Sequence, residues 1–125
     1  MLFRSQKLTA VRGIGLTTAA LLLAELPELG NLNKAEAAAL AGLAPRNHDS
    51  GAFRGQRHIA GGRPAVRTGL WMSTLVAIQH NPILKAFYQR LRAKGKPPKV
   101  ALTATARKLI VHLNGLLKSP ILSAC

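Results

Sequence analysis

Between Gly42 and Arg67 the chain reads GLAPRNHDSGAFRGQRHIAGGRPAVR, a run with five arginines, two histidines, five glycines and one acid, Asp49, set directly before Ser50 and Gly51. The forked, planar guanidinium matches the oxygens of a phosphate, and glycine lets the backbone approach such a ligand closely. The arginines are Arg46, Arg54, Arg57, Arg63 and Arg67. In that setting Ser50 is either one more hydrogen-bonding hydroxyl or a nucleophile, and His48 and His58, which flank it, are candidates for its base. Residue type alone points to phosphate chemistry and leaves both roles of the serine open.

A second candidate lies upstream. Arg12-Gly13-Ile14-Gly15 stands between a short amphipathic segment and an Ala/Leu-rich one, the pattern of a helix-hairpin-helix. Its glycines allow a tight turn, and the unpaired N–H groups at the next helix start can hold a phosphate, with Arg12 on the same ligand. A plain connector between two helices fits the same residues. Metal chemistry has little to build on. The four acids, Glu25, Glu28, Glu36 and Asp49, form no converging set, and the four histidines, His48, His58, His80 and His112, lack ligand spacing. No metal ligand and no cofactor is therefore expected within this chain.

Composition narrows the partner. The 125 residues fit one domain, and the formal charge of +14 is uneven: residues 37–125 carry fourteen Lys/Arg against Asp49 alone. A field of that sign concentrates polyanions, above all nucleic acid. A membrane surface is the rival, but many of the cations lie in a Gly-rich stretch rather than on an amphipathic helix. No apolar run approaches the length needed to span a bilayer, and there is no cleavable signal pattern. One cysteine, Cys125, builds no internal disulfide, so a cytoplasmic protein is the default.

The elements that must position these residues read as mainly α. A basic helix covers about Met1–Val11, and a stronger one about Thr17–Leu26, stopped by Pro27. Asn33 and Glu36 form a capping box for a helix over Lys34–Ala41, with Gly42 as its stop. The stretch 43–63 is irregular or a hairpin, with Gly61-Gly62 as a turn. Three helices complete the chain. The first starts at Pro64 with the apolar set Val66, Leu70, Trp71, Leu75 and Ile78, which favours the core over a base-stacking platform as the role of Trp71. The second is capped by Asn81-Pro82, with Leu84, Phe87, Tyr88 and Leu91 as its stripe, and stops at Gly95. The last follows the basic Lys94–Lys99 loop, with Leu102, Ala106, Leu109, Ile110, Leu113 and Leu117 on one face. The expected organisation is a single domain over 1–125, divided into a hairpin part (1–41), a basic serine-bearing segment (42–63) and a helical part (64–118).

Three strings in order, VRGIGLTTAALLLAELPELG, LAGLAPRNHDSGAFRGQRHIAGGRPAVR and NPILKAFYQRLRAKGKPPKVALTATARKL, carry a family resemblance over about Leu8 to Leu117. The chain resembles the C-terminal transposase domain of the DEDD-type bacterial insertion-sequence transposases, the Piv-invertase-like or IS one-ten/IS one-sixteen family. The family hairpin reads Pro-Gly-x-Gly, and Arg12 here replaces the proline. Ser50-Gly51 matches the family's Ser-Gly motif, which implies Ser50 as nucleophile toward a DNA phosphodiester, with the neighbouring arginines positioning the backbone. The resemblance also implies a preceding ribonuclease-H-like domain that holds Mg2+, a structured guide (bridge) RNA as second partner, and assembly into a homo-oligomer or with full-length transposase. On that reading this chain is a truncated form, unable to cut or rejoin DNA unless the acidic domain is supplied in trans. A non-catalytic basic nucleic-acid-binding module is the alternative.

Overall fold

The computed structural model describes residues 2–42 and 63–118, and among these residues all regular structure is helical. Helix α1 runs Leu2–Thr9, α2 Leu16–Glu25, α3 Lys34–Leu40, α4 Pro64–His80, α5 Pro82–Ala93 and α6 Pro98–Lys118. The mainly α fold expected from the pattern is thus observed. Ser50, Arg46, Arg54, Arg57, His48 and His58 lie outside the described residues, as does the Gly61-Gly62 turn.

Local chemistry sets most of the boundaries. The Asn33 side chain accepts from the Glu36 N–H at 2.8 Å and the Glu36 carboxylate accepts from the Asn33 N–H at 2.9 Å, a complete capping box. Asn81 starts α5 by accepting from the N–H groups of Ile83 and Leu84, and Pro82 and Pro64 fill first-turn positions that need no donor. Its amide also donates to the Arg12 carbonyl at 3.1 Å, tying the first hairpin to the α4–α5 junction.

Helix α6 is the spine, packed against α1, α3, α4 and α5. Around it Leu8, Ile14, Leu22, Leu26, Leu29, Val66, Leu70, Leu109, Ile110 and Leu113 form one continuous core. The apolar face expected for α4 is shifted: Val66, Leu70, Ser73, Thr74 and Ala77 are buried, Trp71 and Ile78 are half-buried and Leu75 is exposed. Neighbours on two sides select small residues at the closest approaches. The buried hydroxyls of Thr74 and Thr105 are satisfied by their own helices, donating to the carbonyls of Leu70 and Ala101 at 2.8 Å.

One polar side chain interrupts the core of α6. Asn114 is buried; its Oδ1 accepts from the N–H of Gly30 at 2.7 Å and its Nδ2 donates to the carbonyl of Leu32 at 2.6 Å. Gly30 adopts φ +103 where a Cβ would stand 2.9 Å from that of Leu117, so the α2–α3 connection lies flat on the last helix only with glycine there. Basic residues of α1 reinforce this end: Arg4 donates to the carbonyl of Leu29 at 2.6 Å, and buried Lys7 to that of Leu116 at 3.0 Å.

Replacing Asn114 removes the partner of three buried backbone groups, the N–H groups of Gly30 and Leu32 and the Leu32 carbonyl, an unsatisfied buried group costing about 1–3 kcal/mol. Asn114→Ala and Asn114→Leu, the second branched like the amide but apolar, are both expected to lower stability by roughly 2–4 kcal/mol, read from the midpoint of urea unfolding. Rescue by leucine would assign the residue to packing instead.

Candidate nucleic-acid interface

The serine-bearing segment leaves the helices after Gly42 and rejoins them at Arg63, and its two ends are bound together. The Arg63 N–H donates to the Leu40 carbonyl at 2.8 Å. The Arg63 guanidinium forks onto Glu28, Nη1 to Oε1 at 2.8 Å and Nη2 to Oε2 at 2.6 Å, while Nη1 also reaches the Glu25 carbonyl at 2.9 Å. The hydrogen bond from Arg63 is the main reason the Glu28 carboxyl falls from 4.5 to about 2, and the same contact raises the guanidinium pKa. Arg63, counted by sequence among the phosphate contacts, therefore has its fork engaged by a carboxylate in this structure.

At this root lies an open cleft of about 570 Å3. It is lined by Gly42, by Pro64, Arg67, Thr68, Trp71 and Met72 of α4, and by Lys99 and Thr103 of α6. Spacing explains the arrangement, since Arg67 and Trp71, and Lys99 and Thr103, are each four residues apart and share a helix face. Arg67 and Lys99 are exposed, and neither has a carboxylate partner among the described residues. Of the arginines expected to bind phosphate in the focal run, Arg67 is the described one whose guanidinium is uncommitted. Thr68, Trp71, Lys99 and Thr103 were not singled out as site residues from the sequence, although the i, i+4 pairing of Arg67 with an aromatic was there to be read.

The hairpin forms a separate corner. Gly13 takes φ +108 and lies against α4, where a Cβ would meet that of Ala77 at 2.8 Å, so this glycine is required by both conformation and space. Gly15 differs: it is the N-cap of α2, with extended backbone and open space around the position of a Cβ. No side chain caps this helix start and no acid occupies its first turn. The α2 N-terminus thus presents its amide dipoles outward beside exposed Arg12. The shallow depression there also touches Thr18 and Ser73, and the buried Ser73 hydroxyl has no hydrogen-bond partner among the described residues.

Helices α5 and α6 supply the remaining field. Lys85, Arg90, Arg92, Lys94, Lys96, Lys99 and Lys108 are exposed, and this part of the sequence contains no acid. Two of them border an aromatic face, Lys108 Nζ at 4.9 Å and Arg90 Cζ at 5.9 Å from the Phe87 ring centroid. Among the described residues no group of three His, Cys, Asp or Glu side chains is placed to hold a metal ion, and no helix is long and apolar enough to cross a membrane.

Residues 5–89 match the family described as Transposase IS116/IS110/IS902. The chain is 32% identical over 116 residues to the uncharacterized 43.6 kDa protein of insertion element IS110 from Streptomyces coelicolor, covering 91% of this chain and 29% of that protein. It is likewise 32% identical over 112 residues to the pilin gene-inverting protein of Moraxella lacunata, covering 86% of this chain and 35% of the relative. The corresponding protein of Moraxella bovis is 32% identical over 111 residues, with 86% and 34% covered. The chain thus spans about a third of the length of the curated relatives it matches.

The Arg63–Glu28 clasp carries a pH signature. Because folding depresses the Glu28 pKa, its contribution is complete above about 4.5 and is lost as pH falls toward about 2. With side chains 36% and 40% exposed, the pair is screened and worth about 1 kcal/mol or less. Glu28→Gln is expected to lower stability slightly at neutral pH and to flatten the acid limb, so that the two proteins converge near pH 2 in urea unfolding. Parallel acid limbs would place the proton linkage elsewhere.

Proposed function

The chain belongs to the transposase IS116/IS110/IS902 family, and we propose that it forms the serine-bearing DNA-handling part of a transposase or site-specific recombinase. In this reading Ser50 attacks a DNA phosphodiester. A bond forms between Oγ and phosphorus, the serine proton passes to a base, and the displaced deoxyribose oxygen leaves with a proton as a hydroxyl. Reversal on a second strand rejoins the DNA. Arg46, Arg54 and Arg57 lie on the same segment as Ser50, and Arg67 and Lys99 stand at its root with the charge and exposure needed to hold the strand.

The observation that carries this reading is the joining of the segment's two ends beside an uncommitted cationic cleft. Arg63 serves in it as the clasp that fixes where the segment returns. The hairpin, with Arg12, Gly13 and Gly15 at the open α2 start, is a second phosphate contact. Of the described acids Glu28 is held by Arg63 and Glu36 by its own helix cap, which leaves Glu25 alone and gives no converging set for a magnesium ion among the described residues. Mg2+ accordingly belongs, in this proposal, to a separate acidic domain, and no step is assigned to it here. A structured guide RNA and a multimeric assembly complete the proposed set of partners.

With acidic domain, DNA and guide RNA supplied, a protein–DNA adduct that survives denaturation is expected, and Ser50→Ala is expected to abolish it while retaining DNA binding. An adduct undiminished by Ser50→Ala would remove the nucleophile assignment. The hairpin is tested separately by Gly15→Asp, which meets open space and improves the helix cap. It is expected to leave the thermal midpoint equal or higher while weakening DNA binding about threefold or more, since it sets an anion where a phosphate would lie.

A further inference from the structure

Trp71 is the single tryptophan of the chain, and it lies half-buried on the wall of an open cleft rather than inside the core. An indole lining an open cleft offers apolar aromatic surface to a partner that enters it. The surroundings narrow what that partner is. Arg67, one helical turn away, and Lys99 of α6 line the same cleft and have no carboxylate partner among the described residues, and Thr68 and Thr103 also line it, the Thr103 hydroxyl donating to the Lys99 carbonyl at 2.9 Å. A volume of about 570 Å3 falls within the ~300–1,000 Å3 of small-molecule sites. An aromatic side chain and two cations lining one cleft fit a flat base attached to a phosphate. Inside a duplex both faces of a base are covered by its neighbours, so an indole can stack only on a base that is unpaired or turned out.

We propose that this cleft holds one unpaired nucleotide of a DNA strand, its base stacked on Trp71 and its phosphate between Arg67 and Lys99. The proposal rests on the DNA-handling reading above and does not require Ser50 to act as nucleophile. The cleft opens where the serine-bearing segment joins the helices. A nucleotide seated there would hold one strand apart from its complement beside that segment.

Because Trp71 is the one tryptophan, its fluorescence reports the site directly. The full chain is titrated with oligothymidylate, with an abasic strand of the same length, with a blunt duplex and with oligouridylate, while anisotropy of a label on each strand reports binding. Oligothymidylate is expected to quench the indole strongly, whereas abasic strand and duplex bind without quenching. Trp71→Phe should keep the affinity for oligothymidylate, and Trp71→Ala should lower it about tenfold. Equal quenching by the abasic strand or the duplex would overturn the proposal, and so would quenching confined to oligouridylate. Should Trp71→Ala fail to fold, Arg67→Ala combined with Lys99→Ala on the exposed rim decides instead, and unchanged quenching in that variant overturns the phosphate assignment. Ser50→Ala is expected to quench like the parent, so failure of the nucleophile reading and failure of this one give different results.

Discussion

The placement of everything near the site depends on how one buried amide is satisfied. Asn114 sits where an apolar residue would ordinarily complete the face of α6, and it holds the connection between α2 and α3 by both of its polar atoms. That connection carries Glu28, the acceptor of the Arg63 fork, and leads into the Asn33 cap of α3. A chain of polar contacts therefore runs from the last helix to the root of the serine-bearing segment. The apolar core would permit small slides of α2 and α3 along α6; paired donors and acceptors in a dry contact select one register.

The positive charge is divided between two uses. Arg4, Lys7, Arg63 and Arg92 each donate to a main-chain carbonyl, of Leu29, Leu116, Glu25 and Lys96 respectively, and so act as structural donors. Arg67, Lys85, Lys94, Lys99 and Lys108 project from α4, α5, α6 and the loop between α5 and α6 with no acid nearby in sequence. A surface of this kind repels itself and gains stability when a polyanion covers it. Net charge alone hides the distinction, because a guanidinium that donates to a main-chain carbonyl and one left exposed count equally.

Much of the scaffold was legible from local chemistry. The Asn33–Glu36 box, the Asn81-Pro82 start and the Pro64 start depend on contacts within a few residues, so residue type suffices to locate them. Pairings between distant segments were not legible. Asn114 follows Leu113 of the apolar face of the last helix, and its partners are more than eighty residues away, beyond what local pattern can report. Trp71 was placed in the core by its spacing from Val66 and Leu70, but the Gly13 turn rests on α4 at Ser73 and Ala77, and the buried face turns toward those small residues. The same rotation brings Trp71 to the cleft. Hydrophobic spacing reports that a helix has an inner face, while the volumes of its neighbours decide where that face is centred.

The single backbone hydrogen bond between Leu40 and Arg63 has a consequence for how such a segment can vary. Bringing two fixed ends of chain together carries an entropy that rises with the logarithm of the enclosed length, about 0.6 kcal/mol for each doubling. Residues added or removed between positions 40 and 63 therefore change the closure term of the helical platform only slightly, as long as the ends still meet. Length between those two ends becomes a nearly free variable for the platform, while the helices that carry the segment keep their own packing constraints.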